Sequence, residues 1–327
     1  MDSYARHRLD EEAQAESQSL PTRFSAPESI DNWHHERMLG ALAPLLAHSG
    51  GTRWMTVGDG RFGSDANFLM RHVAAVTATS ISDSTLAFAK DKGWVTDYSA
   101  ENIEALSFGD GSFDWVLCKE SYHHLPRPAI GFYEMLRVAR LGVALIEPID
   151  AGGGLFHPVK AWAKKAIRGE GAYADDQFEP VGNFIFRVSI GEIAKMMTAL
   201  NYRTVAWRTM NTFWSERLAA APKDKPSLAW YATRAGILAQ DAACGLRLLA
   251  PGLGIVLCFK QDPAPELAAA LRAGGFRVET LPRNPYLPAA AGEAAPAAEA
   301  EAQPATAQPP AQPAEPQPVK APQPAEA

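Results

Sequence analysis

The chain reads as an α/β protein built on a doubly wound, mostly parallel seven-stranded sheet, with helical insertions and a disordered C-terminal tail. Three observations predict this. Short apolar strand patterns alternate with helix patterns through residues 53–150, the order that produces a parallel sheet covered on both faces. A glycine-rich turn, Gly58-Asp59-Gly60-Arg61-Phe62-Gly63, joins the first strand of that series to the helix after it. From Pro288 onward the chain is almost only Ala, Pro, Glu and Gln, which leaves too little apolar bulk to fold.

Residues 1–30 are polar and read as a flexible arm. Asp31 is placed to cap a helix that carries Trp33, Met38, Leu42 and Leu45 on one side. Strands follow over 54–57, 74–81, 94–98 (the weakest), 113–118 and 142–147, with helices after Gly63, over 84–92 and over 128–140. The second half is less regular. Ser189 with Glu192 forms a capping-box pattern that opens a helix to about Leu200. Strand patterns recur over 202–209, 254–260 and 276–281, with a helix over 265–273. The folded domain is therefore 31–287, interrupted by insertions at 151–183 and 213–251, and the tail is 288–327.

In the first insertion Leu155, Val159, Trp162 and Ala166 recur at helical spacing beside Lys160, Lys164 and Lys165. This pattern predicts an amphipathic helix packed on the domain or a lid over an acidic acceptor, with contact to an anionic membrane surface as the third and less favoured reading. The second insertion, with Trp214, Trp230 and Tyr231, either packs over the sheet edge or forms a homodimer contact.

Composition narrows the function. A net charge of −6 lacks the basic footprint of a nucleic-acid-binding protein. The three cysteines, Cys118, Cys244 and Cys258, are far apart and odd in number, so neither a disulfide framework nor a zinc site is expected. With no apolar leader and no clean run of about 20 apolar residues, a cytoplasmic protein without membrane association is expected.

The turn after the first strand is the sharpest feature. Glycines permit tight turning and close approach of backbone to a ligand. A helix N-terminus at the turn would offer N–H groups and partial positive charge to a carboxylate or phosphate. Taken literally, Gly58-x-Gly60-x-x-Gly63 is a dinucleotide fingerprint, which keeps an NAD(P)-dependent oxidoreductase as an alternative. A dinucleotide site also needs an acid at the end of the next strand. Ser80 stands there instead, and Asp83, three positions on, is either a ribose ligand or a helix cap.

Three further blocks settle the comparison. The stretch from Asn102 and Ile103 through Phe108 to Asp114, then Tyr122-His123-His124-Leu125, then Glu134 through Pro148, stand in this order. Together with the glycine loop they resemble the class I S-adenosylmethionine (SAM)-dependent methyltransferases, in particular the group called methyltransferase type 11, over about residues 52–150. The resemblance implies a Rossmann-like fold and SAM as cofactor. Gly58, Asp59, Gly60 and Gly63 would form the loop at the methionine end of SAM, and Ser80 and Asp83 would lie near the ribose. Asn102 and Ile103 would lie near the adenine, and Lys119 near the sulfonium. The sequence departs from the family at three places, where Thr56, Ser80 and Asn102 replace acids. Ser and Asn still hydrogen-bond, but without the charged acceptor. That weakened set keeps a non-catalytic SAM-fold partner protein as a second alternative.

For a SAM-dependent reaction the protein mainly positions the acceptor atom, and a base helps when that atom carries a proton. His124, Glu120 and His123 are the candidate catalytic groups, because loops at the carboxyl ends of parallel strands line the ligand crevice. Glu147 reads as a structural carboxylate. The expected substrate is a small molecule or biosynthetic intermediate methylated on oxygen or nitrogen.

Overall fold

The computed structural model describes residues 3–150, 177–179, 182–223 and 227–287. The tail expected over 288–327 and the amphipathic helix expected within 151–183 lie outside the described residues.

The sheet has eight strands, one more than expected. In chain order they are β1 Arg53–Val57, β2 Ala75–Ser80, β3 Asp97–Ala100, β4 Phe113–Lys119, β5 Ala139–Pro148, β6 Thr204–Met210, β7 Leu253–Phe259 and β8 Arg277–Thr280. Their spatial order is β3-β2-β1-β4-β5-β7-β6-β8. The first five pair in parallel, whereas β7 runs antiparallel to both β5 and β6. The additional strand is β8, a short antiparallel edge on β6.

The central strands are apolar on both faces because both are covered. All seven residues of β7 are buried. Alternate residues feed two cores. On one face Trp54, Trp115, Leu117 and Leu257 pack with Leu42, Leu69 and Leu86. On the other, Met55, Val116 and Leu145 pack with Phe132, Leu136 and Ile193. Trp54 and Trp115, paired across β1 and β4, stack with ring centroids 5.7 Å apart.

The described helices are α1 Ser3–Ser17, α2 Thr22–Ser25, α3 Ile30–Gly40, α4 Ala43–Leu46, α5 Ser64–Leu69, α6 Ser84–Asp91, α7 Pro128–Val138, α8 Ile190–Ala199, α9 Glu216–Ala219, α10 Leu228–Gly245 and α11 Pro265–Ala273. Two expectations are corrected here. Residues 3–17 are helical rather than an arm, and α1 lies along the site described below. It lacks an apolar stripe because it docks through polar groups. The cap of α3 is Ser29, whose side chain accepts from Asn32 N. Asp31 sits inside the helix and accepts from Thr22 Oγ1 and Trp214 Nε1, both at 2.7 Å.

The N-cap of α8 forms at the expected residue, Ser189 Oγ accepting from Glu192 N. The second insertion contributes α10, which packs on α3 through Trp230 against Trp33, centroids 4.7 Å apart. The three cysteines are free. No helix among the described residues is long and apolar enough to cross a membrane.

Candidate active site

The strand order reverses at β1, which lies between β2 and β4. At such a switch point the loops leave in opposite directions and open a crevice beyond the carboxyl ends of the strands. A cleft of about 410 Å³ lies there, within the usual size of a small-molecule or cofactor site. Of the residues singled out in the sequence, Gly58, Asp59, Gly60, Ser80, Ile103, Lys119, Glu120, His123 and His124 line it. Gly63, Asp83 and Asn102 do not line it.

The glycine loop forms as a strand–turn–helix, but its helix end is closed from within. Asp59 is buried, and its carboxylate accepts from Asp65 N at 3.2 Å, Ala66 N at 2.8 Å and Thr56 Oγ1 at 2.9 Å. The first N–H groups of α5 are therefore capped by Asp59 and not free for a ligand, which corrects the expectation of an open helix N-terminus. Burial and the neighbouring Asp65 push the Asp59 carboxyl up, against these three donors. Gly63 is the left-handed residue that turns the chain into α5, with φ 64°. Gly58, at φ 69°, lets the Ser121 side chain approach, and Ser121 Oγ donates to its carbonyl at 3.0 Å.

At the end of β2 Ser80 faces the cleft. Asp83 occupies the cap position of α6 with no side-chain cap bond and is exposed, so it fills neither expected role. Ser82 Oγ accepts from Ser84 N in its place. Asn102 is turned into its own loop, where its Oδ1 accepts from Glu104 N at 2.9 Å. Ile103 and the preceding Glu101 reach the cleft instead. The Glu101 carboxylate is held by Ser107 N at 2.9 Å and Ser99 Oγ at 3.0 Å.

The opposite wall is electrostatically dense. Lys119 is buried and pairs with a partly exposed Glu120: Lys119 Nζ lies 2.9 Å from Glu120 Oε2 and 3.5 Å from Asp65 Oδ1, with the lysine side chain 5% and the glutamate side chain 35% exposed. Burial works against both charges, but the attraction wins. The Glu120 carboxyl is held at about 2 by Lys119 and His35. His35, 3.4 Å from Glu120 Oε2, is lowered to about 4 by burial and by Lys119.

Beyond them, fully buried Glu147 accepts from Ser121 N at 2.8 Å, Tyr122 N at 2.9 Å and His123 Nδ1 at 2.7 Å. It is the structural carboxylate expected from the sequence. Burial alone would lower His123, but its bonds to Glu147 and Glu179 lift it to about 9. Histidine 124 is tied at both ring nitrogens. Nε2 lies 3.1 Å from the Glu120 carbonyl, and Nδ1 lies 3.0 Å from Asn183 Nδ2 and 2.9 Å from Glu179 Oε2. Among the described residues, ligand atoms of His123, His124 and Glu179 lie within 4.8 Å of one another. That spacing suits a metal ion, and the same atoms also pair with each other.

Sequence reasoning missed Glu11, Glu101, Glu179 and His35, all of which line the cleft. A signal for α1 existed. Tyr4, His7, Glu11 and Gln14 recur at helical spacing and all face the cleft, but they are not an apolar stripe.

Residues 55–146 match the family described as "Methyltransferase domain". No curated protein matches the chain. Among solved structures, a candidate methyltransferase from Bacillus halodurans C-125 is 18% identical with a TM-score of 0.44, covering 68% of this chain and 99% of its own. The YcgJ protein of Bacillus subtilis is 16% identical with a TM-score of 0.45, covering 70% and 100%. Phosphoethanolamine N-methyltransferase 2 of Haemonchus contortus, in complex with SAM, is 14% identical with a TM-score of 0.44, covering 69% and 53%.

Proposed function

We propose that the chain, whose residues 55–146 match a methyltransferase domain, is a class I SAM-dependent methyltransferase that methylates an oxygen or nitrogen atom of a small molecule, with His124 as the proton acceptor. SAM supplies a methyl group already activated on a sulfonium, so the protein's task is to align the acceptor and take its proton. Gly58, Gly60, Ser80 and Ile103 would line the cofactor's side of the cleft. Lys119, Glu120, His123 and His124 would line the acceptor's side.

The observation that carries this reading is that each ring nitrogen of His124 has an acceptor for its proton. Bonded to the Glu120 carbonyl, Nε2 keeps its hydrogen. Nδ1, 2.9 Å from Glu179 Oε2, would carry a proton in this arrangement, which is the state after the transfer; before it, the acceptor's O–H or N–H would take the place of Glu179 and Asn183 at the Nδ1 lone pair. A base needs such pre-arranged support for the proton it takes up. His123, lifted to about 9, is already a cation at neutral pH. It therefore serves as a positioning charge that fixes Glu179, not as the base. Glu120, held at about 2 by Lys119 and His35, is too weak a base for this step and orients His124 through its carbonyl.

The test is release of S-adenosylhomocysteine from SAM across a panel of small hydroxyl and amine acceptors. With a hydroxyl acceptor, His124→Gln is expected to lower kcat about 10²–10⁴-fold while leaving cofactor affinity within about twofold. Full turnover by the variant would remove His124 from the mechanism, and no turnover with any acceptor would count against the small-molecule reading.

A further inference from the structure

We infer that Glu11, on the N-terminal helix α1, is the carboxylate that binds the ribose hydroxyls of the cofactor. This rests on the SAM reading above. The end of β2, where a ribose-binding acid would stand, carries Ser80. The acid comes instead from a helix that precedes the sheet in the chain.

Four observations carry the inference. Glu11 Oε1 accepts from Ser80 Oγ at 2.7 Å and Oε2 from Ser82 N at 3.2 Å, so the carboxylate bridges the end of β2 and the turn that follows. It lies directly on the glycine loop, where a Cβ built on Gly60 would overlap the Glu11 carboxylate and come within 2.9 Å of Ser80 Oγ. Glycine at 60 is what admits the carboxylate. The third observation is the stripe of Tyr4, His7, Glu11 and Gln14, which turns one face of α1 into a wall of the cleft. The fourth is hydrogen-bonding capacity. An ionised carboxylate offers about four lone-pair sites, and Ser80 and Ser82 use two of them. A vicinal diol, with two hydroxyl donors side by side, matches the remainder, and charge-assisted bonds of this kind are the strong ones. Burial, opposed by the two serine bonds, holds the acid up at about 7, so diol donors would relieve a desolvated group.

The consequence is that α1 is part of the cofactor site, and that an acid contributed by tertiary packing replaces one expected on the strand. The opposite role is a plug, with Glu11 occupying the place of the ribose and leaving when the cofactor enters. The two roles predict opposite effects of removing the charge.

The test is calorimetric binding of S-adenosylhomocysteine and of its 2′-deoxy analogue to the full chain. For Glu11→Gln the affinity for S-adenosylhomocysteine is expected to fall about 10- to 100-fold, whereas Glu16→Gln, on the exposed side of the same helix, leaves it within twofold. In the wild type the 2′-deoxy analogue binds about tenfold more weakly, and in Glu11→Gln that difference collapses, as coupled groups require. Unchanged or tighter binding by Glu11→Gln, or an equal deoxy penalty in both proteins, overturns the inference and leaves the cofactor assignment standing. Should the variant not fold, equal binding of both ligands by the wild type overturns it alone. If the wild type binds neither SAM nor S-adenosylhomocysteine, the cofactor reading falls with it.

Discussion

His123 Nδ1 lies 2.7 Å from Oε2 of Glu147, a carboxylate with no exposed surface. The pair joins the loop after β4 to the end of β5, and Glu179 bounds it on the other side at 3.5 Å. Because both neighbours are anionic, the folded protein holds the His123 proton to about 9, above the ordinary 6.5. The stabilisation is therefore fully present below pH about 6.5 and is lost as pH rises through about 9. Its ceiling is on the order of 3 kcal/mol. Urea unfolding at pH 6, 7.5 and 9 should show stability falling across that window, and His123→Gln should flatten the slope. An unchanged slope in the variant would assign the pH dependence elsewhere.

Removing the acid side of the pair should cost more. Glu147 serves two backbone N–H groups and the imidazole at once, and breaking a buried pair from one side leaves the other charge uncompensated. Glu147→Ala is expected to destabilise by about 3–5 kcal/mol. Glu147→Gln keeps an acceptor for part of the set, so it should cost less and bring the His123 titration back down toward its ordinary value. Denaturant unfolding measures the first effect, and an NMR titration of the imidazole measures the second.

The sheet was readable from sequence because its strands are apolar runs of the right length between glycines and polar turns. Trp54, Val116, Leu145 and Val256 all fall in the expected strands and are all buried. The edge strand β8 was also visible as a pattern, but a strand pattern does not say whether the segment joins the sheet. The glycine loop and the His123-His124 segment reached the cleft as expected. What was not readable depends on tertiary hydrogen bonds. The N-terminal helix covers polar surface with polar groups, so no hydrophobic period marks it. Asn102 and Asp83 satisfied the sequence pattern, yet each is drawn to local backbone or to solvent. Conversely Glu179 lies in an irregular stretch, and its role depends on two histidines more than fifty residues earlier in the chain.

Gly58 and Gly60 should respond differently to alanine. At Gly58 the backbone is left-handed, with φ 69°, and a Cβ would overlap the Ser121 side chain. Gly58→Ala should destabilise by about 2 kcal/mol or more, and a Ser121→Gly background should relieve the overlap but not the backbone strain. At Gly60 the dominant obstacle is the Glu11 carboxylate. Gly60→Ala should therefore be largely rescued by Glu11→Ala, a coupling that a double-mutant cycle in urea unfolding detects. Independent, additive costs at 60 and 11 would mean that α1 does not sit on the loop in solution.

Ligand-induced stabilisation separates the two cofactor chemistries that the glycine loop alone leaves open. Anything that binds only the folded state stabilises it by about 2.7 kcal/mol at 100 times its dissociation constant. For a domain of this size each kcal/mol moves the midpoint by roughly 2–4 °C, so saturating SAM or S-adenosylhomocysteine should raise Tm by about 5–10 °C. NAD presents its pyrophosphate to a helix N-terminus. Here the Asp59 side chain already takes the N–H groups of Asp65 and Ala66, so those donors are not open to a pyrophosphate. NAD should therefore leave Tm within 1 °C, whereas the uncharged backbone around Gly58 and Gly60 has no such objection to a zwitterionic amino-acid group. A shift with NAD comparable to that with SAM would mean that Asp59 leaves the helix end when a ligand arrives, and the self-capped loop would have to be given up.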